Sequence, residues 1–216
     1  MKVLITGSSS GIGKATAEKF LACGHQVVGF DVQPAAIESE NYYHHIISVT
    51  EKNLPDIFGV EILINNAGVQ TQSKEDIAVN LIGAMNVTEK YAFNDKIKSV
   101  VFVASASASS GAEFPEYAAS KGGVVAYMKN VALKLAKYKA TCNSVSPGGV
   151  ITPMNDHILR NIDLKKAVMN EALLHKWATA EEIAEWIYFI AVVNESMTGQ
   201  DIIIDNGEML KSNFIW

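Results

Sequence analysis

Lys2-Val-Leu-Ile-Thr6 runs straight into Gly7-Ser-Ser-Ser-Gly11-Ile-Gly13. A short run of Val, Leu and Ile reads as a buried strand. The glycines end it in a tight turn, and an amphipathic helix follows over 12–23. Glycine lets the backbone approach a pyrophosphate closely, and the phosphate charge meets the free N–H groups and positive end of the helix. Ser8, Ser9 and Ser10 can add hydroxyl donors. A Gly/Ser turn that merely caps a helix is the plainer reading. Strand, loop and helix standing in register favour the phosphate site, which places Gly7, Ser9, Ser10, Gly11, Ile12 and Gly13 at the ligand.

The same alternation continues outward. Strand-like runs fall near 2–6, 26–30, 43–49, 61–65, 99–104, 140–145 and 201–204, and helical stretches near 12–23, 74–92, 117–137 and 179–193. Strands alternating with helices imply βαβ units and a parallel sheet covered on both faces. The expected architecture is an α/β, three-layer, doubly wound Rossmann fold around a mostly parallel sheet of about seven strands. Ile62-Leu-Ile64 and Val100-Val-Phe-Val103 are near-continuous apolar runs, as strands buried on both faces should be. Segment 50–60 is too short for a helical crossover, so either a single turn of helix covers the sheet there or that face is exposed. No repeat, low-complexity segment or Pro/Gly/Ser linker divides the chain, and residues 1–216 read as one domain. The least regular part, 153–178, follows Pro147-Gly148-Gly149 and reads as a lid or substrate-binding insertion.

Composition narrows the partners. The chain of 216 residues is 49% hydrophobic and 19% charged, enough to bury a sizeable core. Eighteen Lys and Arg against 23 Asp and Glu give a formal charge of −5, with no basic run, which argues against nucleic acid. No apolar stretch approaches the roughly 20 residues of a membrane span, and Val-Leu-Ile after Lys2 is too short for a signal peptide. Cys23 and Cys142 stand far apart in apolar patterns, so a reducing, cytoplasmic setting is expected rather than a disulfide framework. The five histidines lack metal-ligand spacing, and no metal is expected. His44-His45 would point to opposite faces of a strand and read as ordinary strand residues.

Asp31 ends Val27-Val-Gly-Phe-Asp31, about 20 residues beyond the loop, where a carboxylate can accept from an adenosine ribose. It would repel a 2′-phosphate, and no Lys or Arg stands in the loop to offset it; Lys14 lies just beyond. NAD is therefore favoured over NADP. Tyr117 and Lys121, in Tyr117-Ala-Ala-Ser-Lys121, share one helical face about 5–6 Å apart at Cβ. Lowering a tyrosine pKa from about 10 by about three units takes roughly 4 kcal/mol. One ammonium about 5 Å away contributes roughly 3 kcal/mol at an effective dielectric near 20, so Lys121 alone falls a little short and an oxidised nicotinamide ring would add the remaining positive charge. Such pairs are common on solvated helices. Here the pair follows Val100-Val-Phe-Val-Ala-Ser105, a buried strand ending in a hydroxyl that could bond a substrate oxygen; Ser107 is the alternative.

Taken in order, a set of motifs resembles the short-chain dehydrogenase/reductase family over nearly the whole length. They are Thr6-Gly-Ser-Ser-Ser-Gly-Ile-Gly13, Asn65-Asn-Ala-Gly68, Val79-Asn80, Ser105, Tyr117-Ala-Ala-Ser-Lys121, Pro147-Gly-Gly-Val-Ile-Thr152 and a last strand before Asp205-Asn-Gly207. The resemblance implies NAD-dependent interconversion of an alcohol and a carbonyl in a small-molecule substrate. Tyr117 would be general acid/base, Lys121 would lower its pKa and hold the nicotinamide ribose, Ser105 would polarise the carbonyl, and Asn80 would hold a water of the proton relay. Asn66, Ala67 and Gly68 would lie along the adenosine side. Pro147, Gly148, Val150 and Thr152 would meet the nicotinamide end, and Ser48 and Val49, closing the third strand, the adenine. Family members often carry an acidic residue at that last place and a glycine pair where Asn206-Gly207 stands. The Gly68–Asn80 and 50–60 intervals are shorter than usual, which marks a compact member.

A cofactor-bound regulatory or scaffold protein is the competing reading. The complete Asn80, Ser105, Tyr117 and Lys121 set argues against it, and the chain lacks the separate C-terminal domain of an extended-family epimerase. Met154, His157, Ile158, Leu159, Met169, Leu173, Leu174 and Trp177 are expected to line a pocket for a fairly apolar carbonyl compound. Helix 179–193 is apolar over much of its circumference, and the chain ends Asn213-Phe-Ile-Trp216. Since family members commonly assemble through such elements, a homodimer or homotetramer is expected.

Overall fold

The computed structural model describes residues 1–112 and 114–210. β1 (Lys2–Thr6) pairs in parallel with β2 (Gln26–Asp31), which pairs in parallel with β3 (Tyr42–Ile46). On its other side β1 pairs with β4 (Ile62–Asn65), followed outward by β5 (Ser99–Val103) and β6 (Thr141–Pro147). A separate parallel pair, β7 (Val150–Ile151) and β8 (Ala178–Thr179), lies outside this sheet, and β9 (Asp201–Ile204) completes its far edge against β6. The order β3-β2-β1-β4-β5-β6-β9 makes a seven-stranded, fully parallel sheet.

The central strands β1, β4 and β5 are apolar on both faces, and their alternate residues feed different cores. Val3 and Ile5 of β1 join Val27, Ile62, Ile64, Val101 and Val103. That face is covered by Ala17 and Phe20 of α1 (Gly11–Ala22) and by Ile183 and Ile187 from a helix near the C-terminus. Leu4 joins Phe30, Leu63, Val100 and Phe102 on the opposite face. There a helix begins as α2 (Lys74–Asp76), widens to π-helical turns over Ile77–Gly83 and ends as α3 (Ala84–Tyr91). Beyond α4 (Ser107–Ser110), α5 (Pro115–Leu135) brings Val124, Met128 and Val131 against the same face. The insertion between β7 and β8 holds α6 (Asp156–Leu159) and α7 (Ile162–Glu171). α8 (Ala180–Tyr188) carries Ile183 and Ile187 and meets α1 through Ala15, Ala180 and Ala184. These side chains are small enough for the helices to approach closely.

Both crossovers flanking β3 lack a helix. Over 50–60 the structure takes neither expected form. Irregular chain covers the sheet with Leu54 and Val60 buried. Side chains take carbonyls that a helix would have satisfied internally, two of them from α3. Lys90 Nζ bonds the Leu54 carbonyl, Tyr91 Oη donates to the Pro55 carbonyl at 2.5 Å, and Lys90 pairs with Asp56 at 2.9 Å. β3 ends at Ile46, short of the expected 49. Beyond it Ser48 Oγ turns to Thr50 Oγ1 at 2.8 Å, and Val49 packs into the core over Gly83. Asn206, where a glycine is usual, has φ of 55°, a left-handed conformation that Asn tolerates better than most residues.

Candidate active site

The chain reverses its direction of travel across the sheet between β1 and β4, and a crevice at the strands' carboxyl ends is the general consequence. A cavity of about 330 Å³ lies there, within the range of small-ligand sites. The glycine loop and Asp31 form part of its wall. Ser105, Tyr117 and Lys121 form another part, and Pro147, Gly148, Val150 and Thr152 to Asn155 a third.

Gly13 explains how α1 starts so close to β1. A Cβ there would lie 1.9 Å from the Gly7 carbonyl oxygen. Gly7, Ser10, Gly11 and Ile12 line the cavity, whereas Gly13 serves this packing instead. The first turn of α1 holds no acidic side chain, and the Ser10 hydroxyl does not cap it. No side chain of the helix itself therefore offsets its positive end beside the cavity. The expectation that all three serine hydroxyls face a ligand is corrected. Ser8 is buried against Tyr42, and Ser9 Oγ donates to the Pro34 carbonyl at 2.9 Å. Ser9 acts through its backbone: its N–H donates to Asp31 Oδ2 at 2.9 Å, and Gln33 N–H donates to Oδ1 at 2.9 Å. Two donors leave lone pairs on this carboxylate, which lines the cavity.

Asn66 pins the loop from the β4 side. Its Nδ2 donates to the Thr6 and Gly7 carbonyls at 3.0 and 3.1 Å. Thr6 Oγ1 accepts from Asn66 and Ala67 N–H, each at 3.0 Å. Asn66 and Gly68 line the cavity; Ala67 does not. Ser48 borders a separate depression with Val32, Ile46, Ile47, Glu51 and Asn53, which adjoins the cavity at Val32. Val49 reaches neither. The wall thus offers a helix N-terminus, which suits an anionic group, and a carboxylate, which suits a hydroxyl donor.

On α5, Lys121 Nζ lies 5.7 Å from the Tyr117 ring centre and donates to the Val103 carbonyl at 2.9 Å. Ser105 Oγ hydrogen-bonds Tyr117 and accepts from Ser107 N–H at 3.2 Å. This separates the two serines: Ser105 faces the cavity, and Ser107 begins α4. Burial lowers the Lys121 pKa to about 8. It raises that of Tyr117, against the pull of the Ser105 hydrogen bond. Without the cofactor's positive charge, desolvation is the largest influence on the tyrosine.

Asn80 lies in the widened helix, buried, with its amide engaged. Oδ1 accepts from Val69 N–H at 2.8 Å, and Nδ2 donates to the Val69 carbonyl and Ser120 Oγ at 2.9 and 3.0 Å. It does not line the cavity, though its Oδ1 and Lys121 Nζ flank the same side of Gly68. One turn earlier stands a residue the sequence reading missed. Asp76 is fully buried and accepts from Thr71 N–H at 2.7 Å, Thr71 Oγ1 at 2.9 Å and Gln72 N–H at 3.2 Å. Its charge raises the pKa of both Lys121 and Tyr117. The short Gly68–Asn80 interval was the available signal, since so brief a connection must fold back on the helix.

The insertion contributes less to the cavity than expected. Pro153, Met154 and Asn155 line it. Trp177 instead packs on Gly149 and Leu173 on Gly207, while Leu174 is exposed. His157, Ile158, Leu159 and Met169 belong to α6 and α7 and do not border the cavity. Helix 179–193 buries its inner face on its own sheet but leaves Trp186, Phe189 and Val193 about half exposed. The 213–216 tail lies outside the described residues. No described helix is long and apolar enough to cross a membrane.

Comparison with known proteins agrees with this geometry. A family model described as enoyl-(acyl carrier protein) reductase matches residues 44–208. The 3-oxoacyl-[acyl-carrier-protein] reductase FabG of Thermotoga maritima is 31% identical, covering 94% of this chain and 96% of its own. The alignment spans 237 positions, more than the 216 residues here, consistent with a compact chain. Glucose 1-dehydrogenase of Gluconobacter oxydans is 29% identical over 99% of this chain and 93% of its own. Among solved structures, 4-hydroxyisoleucine dehydrogenase complexed with NADH superposes with a TM-score of 0.88 at 24% identity, covering 98% of this chain and 99% of that one. With the glycine loop, the Tyr117–Lys121 pair and Ser105 around one cavity, the chain belongs to the short-chain dehydrogenase/reductase family of NAD(P)(H)-dependent oxidoreductases.

Proposed function

We propose that the protein transfers a hydride between NAD(H) and a small alcohol or carbonyl compound, with residues 1–216 acting as one catalytic domain. The observation that carries this is the meeting of Ser105, Tyr117 and Lys121 with the glycine loop and Asp31 on one cavity. When bound, the nicotinamide supplies hydride exchange at its ring and, oxidised, a positive charge. Tyr117 gives a proton to the carbonyl oxygen in reduction or takes it from the alcohol in oxidation. Its raised pKa keeps it protonated at neutral pH, which suits reduction. Ser105 orients the oxygen. Lys121, charged below about pH 8, holds the nicotinamide ribose and supports the tyrosinate in oxidation. Asn80 steadies Val69 and Gly68 beside Lys121 and anchors a water-borne proton path. Gly7, Ser10, Gly11 and Ile12 hold the pyrophosphate, Asn66 and Gly68 the adenosine side, and Pro147, Gly148, Val150 and Thr152 the nicotinamide end.

Preference for NAD rests on Asp31, whose charge disfavours a 2′-phosphate. The fold is neutral on this point, since neighbours with NADH and with NADPH bound share it. The partly apolar wall at Pro153 and Met154 suits a fairly apolar carbonyl substrate, with 153–178 as its lid. The half-exposed Trp186, Phe189 and Val193 suit a homodimer or homotetramer, and a cytoplasmic setting suits the free cysteines. The deciding experiment is titration of the pure protein with NADH and NADPH by nicotinamide fluorescence, then a carbonyl screen with the preferred cofactor. Tight NADH and weak NADPH binding are expected. The reverse order would remove Asp31 from the ribose. Light scattering at micromolar concentration tests the assembly, and a monomer would end that part of the proposal.

A further inference from the structure

Gly29, in the middle of β2, leaves a gap that two hydroxyls fill. A Cβ there would lie 2.3 Å from Tyr42 Oη and 2.4 Å from Ser8 Oγ. Ser8 Oγ and Tyr42 Oη are 2.9 Å apart, Tyr42 Oη is 2.9 Å from His44 Nδ1, and His44 Nε2 is 2.9 Å from the Gln33 carbonyl oxygen. One end fixes the direction of this chain. A carbonyl only accepts, so His44 Nε2 carries the hydrogen. In a neutral imidazole Nδ1 then accepts, so Tyr42 donates to it and Ser8 donates to Tyr42. Every group is satisfied in a single arrangement.

The two ends of the chain lie on either side of Asp31. Ser8 belongs to the glycine loop, and its neighbour Ser9 holds Asp31 Oδ2 and the Pro34 carbonyl. Gln33, at the other end, holds Asp31 Oδ1. The 32–41 crossover has no helix to fix it. The side chains of β3 hold it instead, from behind the cavity, which neither Tyr42 nor His44 lines.

We infer that Tyr42 and His44 are positioning residues for the adenosine ribose: they set the spacing between the glycine loop and Gln33 at which Asp31 presents its carboxylate to the cavity. This rests on the proposed ribose-binding role of Asp31. The test compares NADH and NADPH affinity, KM and kcat in wild type, Tyr42→Phe, His44→Ala, His44→Gln and Asp31→Ala. Losing one such hydrogen bond corresponds to a change of roughly twofold to tenfold. Tyr42→Phe and His44→Ala should raise Kd and KM for NADH by about that factor, with kcat at saturating NADH within about twofold. NADPH affinity should change less, so the preference ratio falls. His44→Gln, whose amide can still donate to the Gln33 carbonyl, should restore NADH affinity to within about twofold. Unchanged NADH affinity in Tyr42→Phe would overturn the inference. So would lost thermal stability with KM unaltered, the mark of a merely structural role. If Asp31→Ala also leaves NADH affinity unchanged, the ribose reading itself has failed; if only the β3 variants do, the inference alone falls.

Discussion

The two flanks of the sheet are covered by different means. On the β5–β6 flank, long helices roof the strands and satisfy their own backbones, and the groups assigned to chemistry sit on α5 or on the strand end it covers. Lys121 is 4% exposed and Ser105 9%. On the β3 flank both crossovers run without helix, and individual side chains close the carbonyls: Lys90 and Tyr91 over 50–60, Ser9 and His44 over 32–41. Reacting atoms need fixed geometry and a dry surround, which a packed helix face provides. A cofactor's adenosine half needs only holding, and a few well-placed hydrogen bonds suffice for that.

The largest test of this contrast is Tyr117→Phe. Removing the hydroxyl should lower kcat by roughly a thousandfold while NADH affinity stays nearly unchanged. A large loss of NADH binding would show that the two flanks are not separable. Leu54→Ala comes next, because Leu54 anchors the helix-free crossover. A loss of about 2–3 kcal/mol in denaturant unfolding is expected, against less than about 0.5 for Phe58→Ser, whose side chain is 80% exposed. Equal effects would mean that 50–60 adds no core. Asp31→Ala should weaken NADH by roughly tenfold or more, the worth of a charged hydrogen bond, and narrow the gap to NADPH; kcat at saturation should stay close to wild type.

The smallest effect is a pH shift. Burial holds the Lys121 pKa at about 8, so its positive charge is present below that pH and lost above it. Reduction, which also needs protonated Tyr117, should therefore decline as pH rises through that region. Asp76 raises the pKa of both groups. Asp76→Asn should thus move the alkaline limb of the rate profile to lower pH, by less than about one pH unit. An unmoved limb would make Asp76 a loop anchor only, binding Thr71 and Gln72.

Much of this was legible because it is local. Strand, glycine turn and helix in sequence, apolar runs such as Val100-Val-Phe-Val103, and a Tyr/Lys pair one turn apart all depend on spacing along the chain. What stayed hidden depends on residues far apart in sequence. His44 read as an ordinary strand histidine because its partner Tyr42 points to the same face and their targets, Ser8 and Gln33, lie on β1's loop and beyond β2. Asp76 drew no reading, because its burial depends on the fold-back of the short Gly68–Asn80 connection, which no local spacing displays.

By itself, then, the order of residues determined the parallel Rossmann sheet, the glycine turn that ends its first strand, and the Tyr117/Lys121 pair one helical turn apart. Each follows from periodicity or fixed short spacing. Only the tertiary structure decided that Ser105 and not Ser107 faces the cavity, that the Ser8 and Ser9 hydroxyls turn away from it, and that burial raises the tyrosine's pKa. Direction and desolvation are properties of the packed surroundings, which a local reading of the chain does not contain.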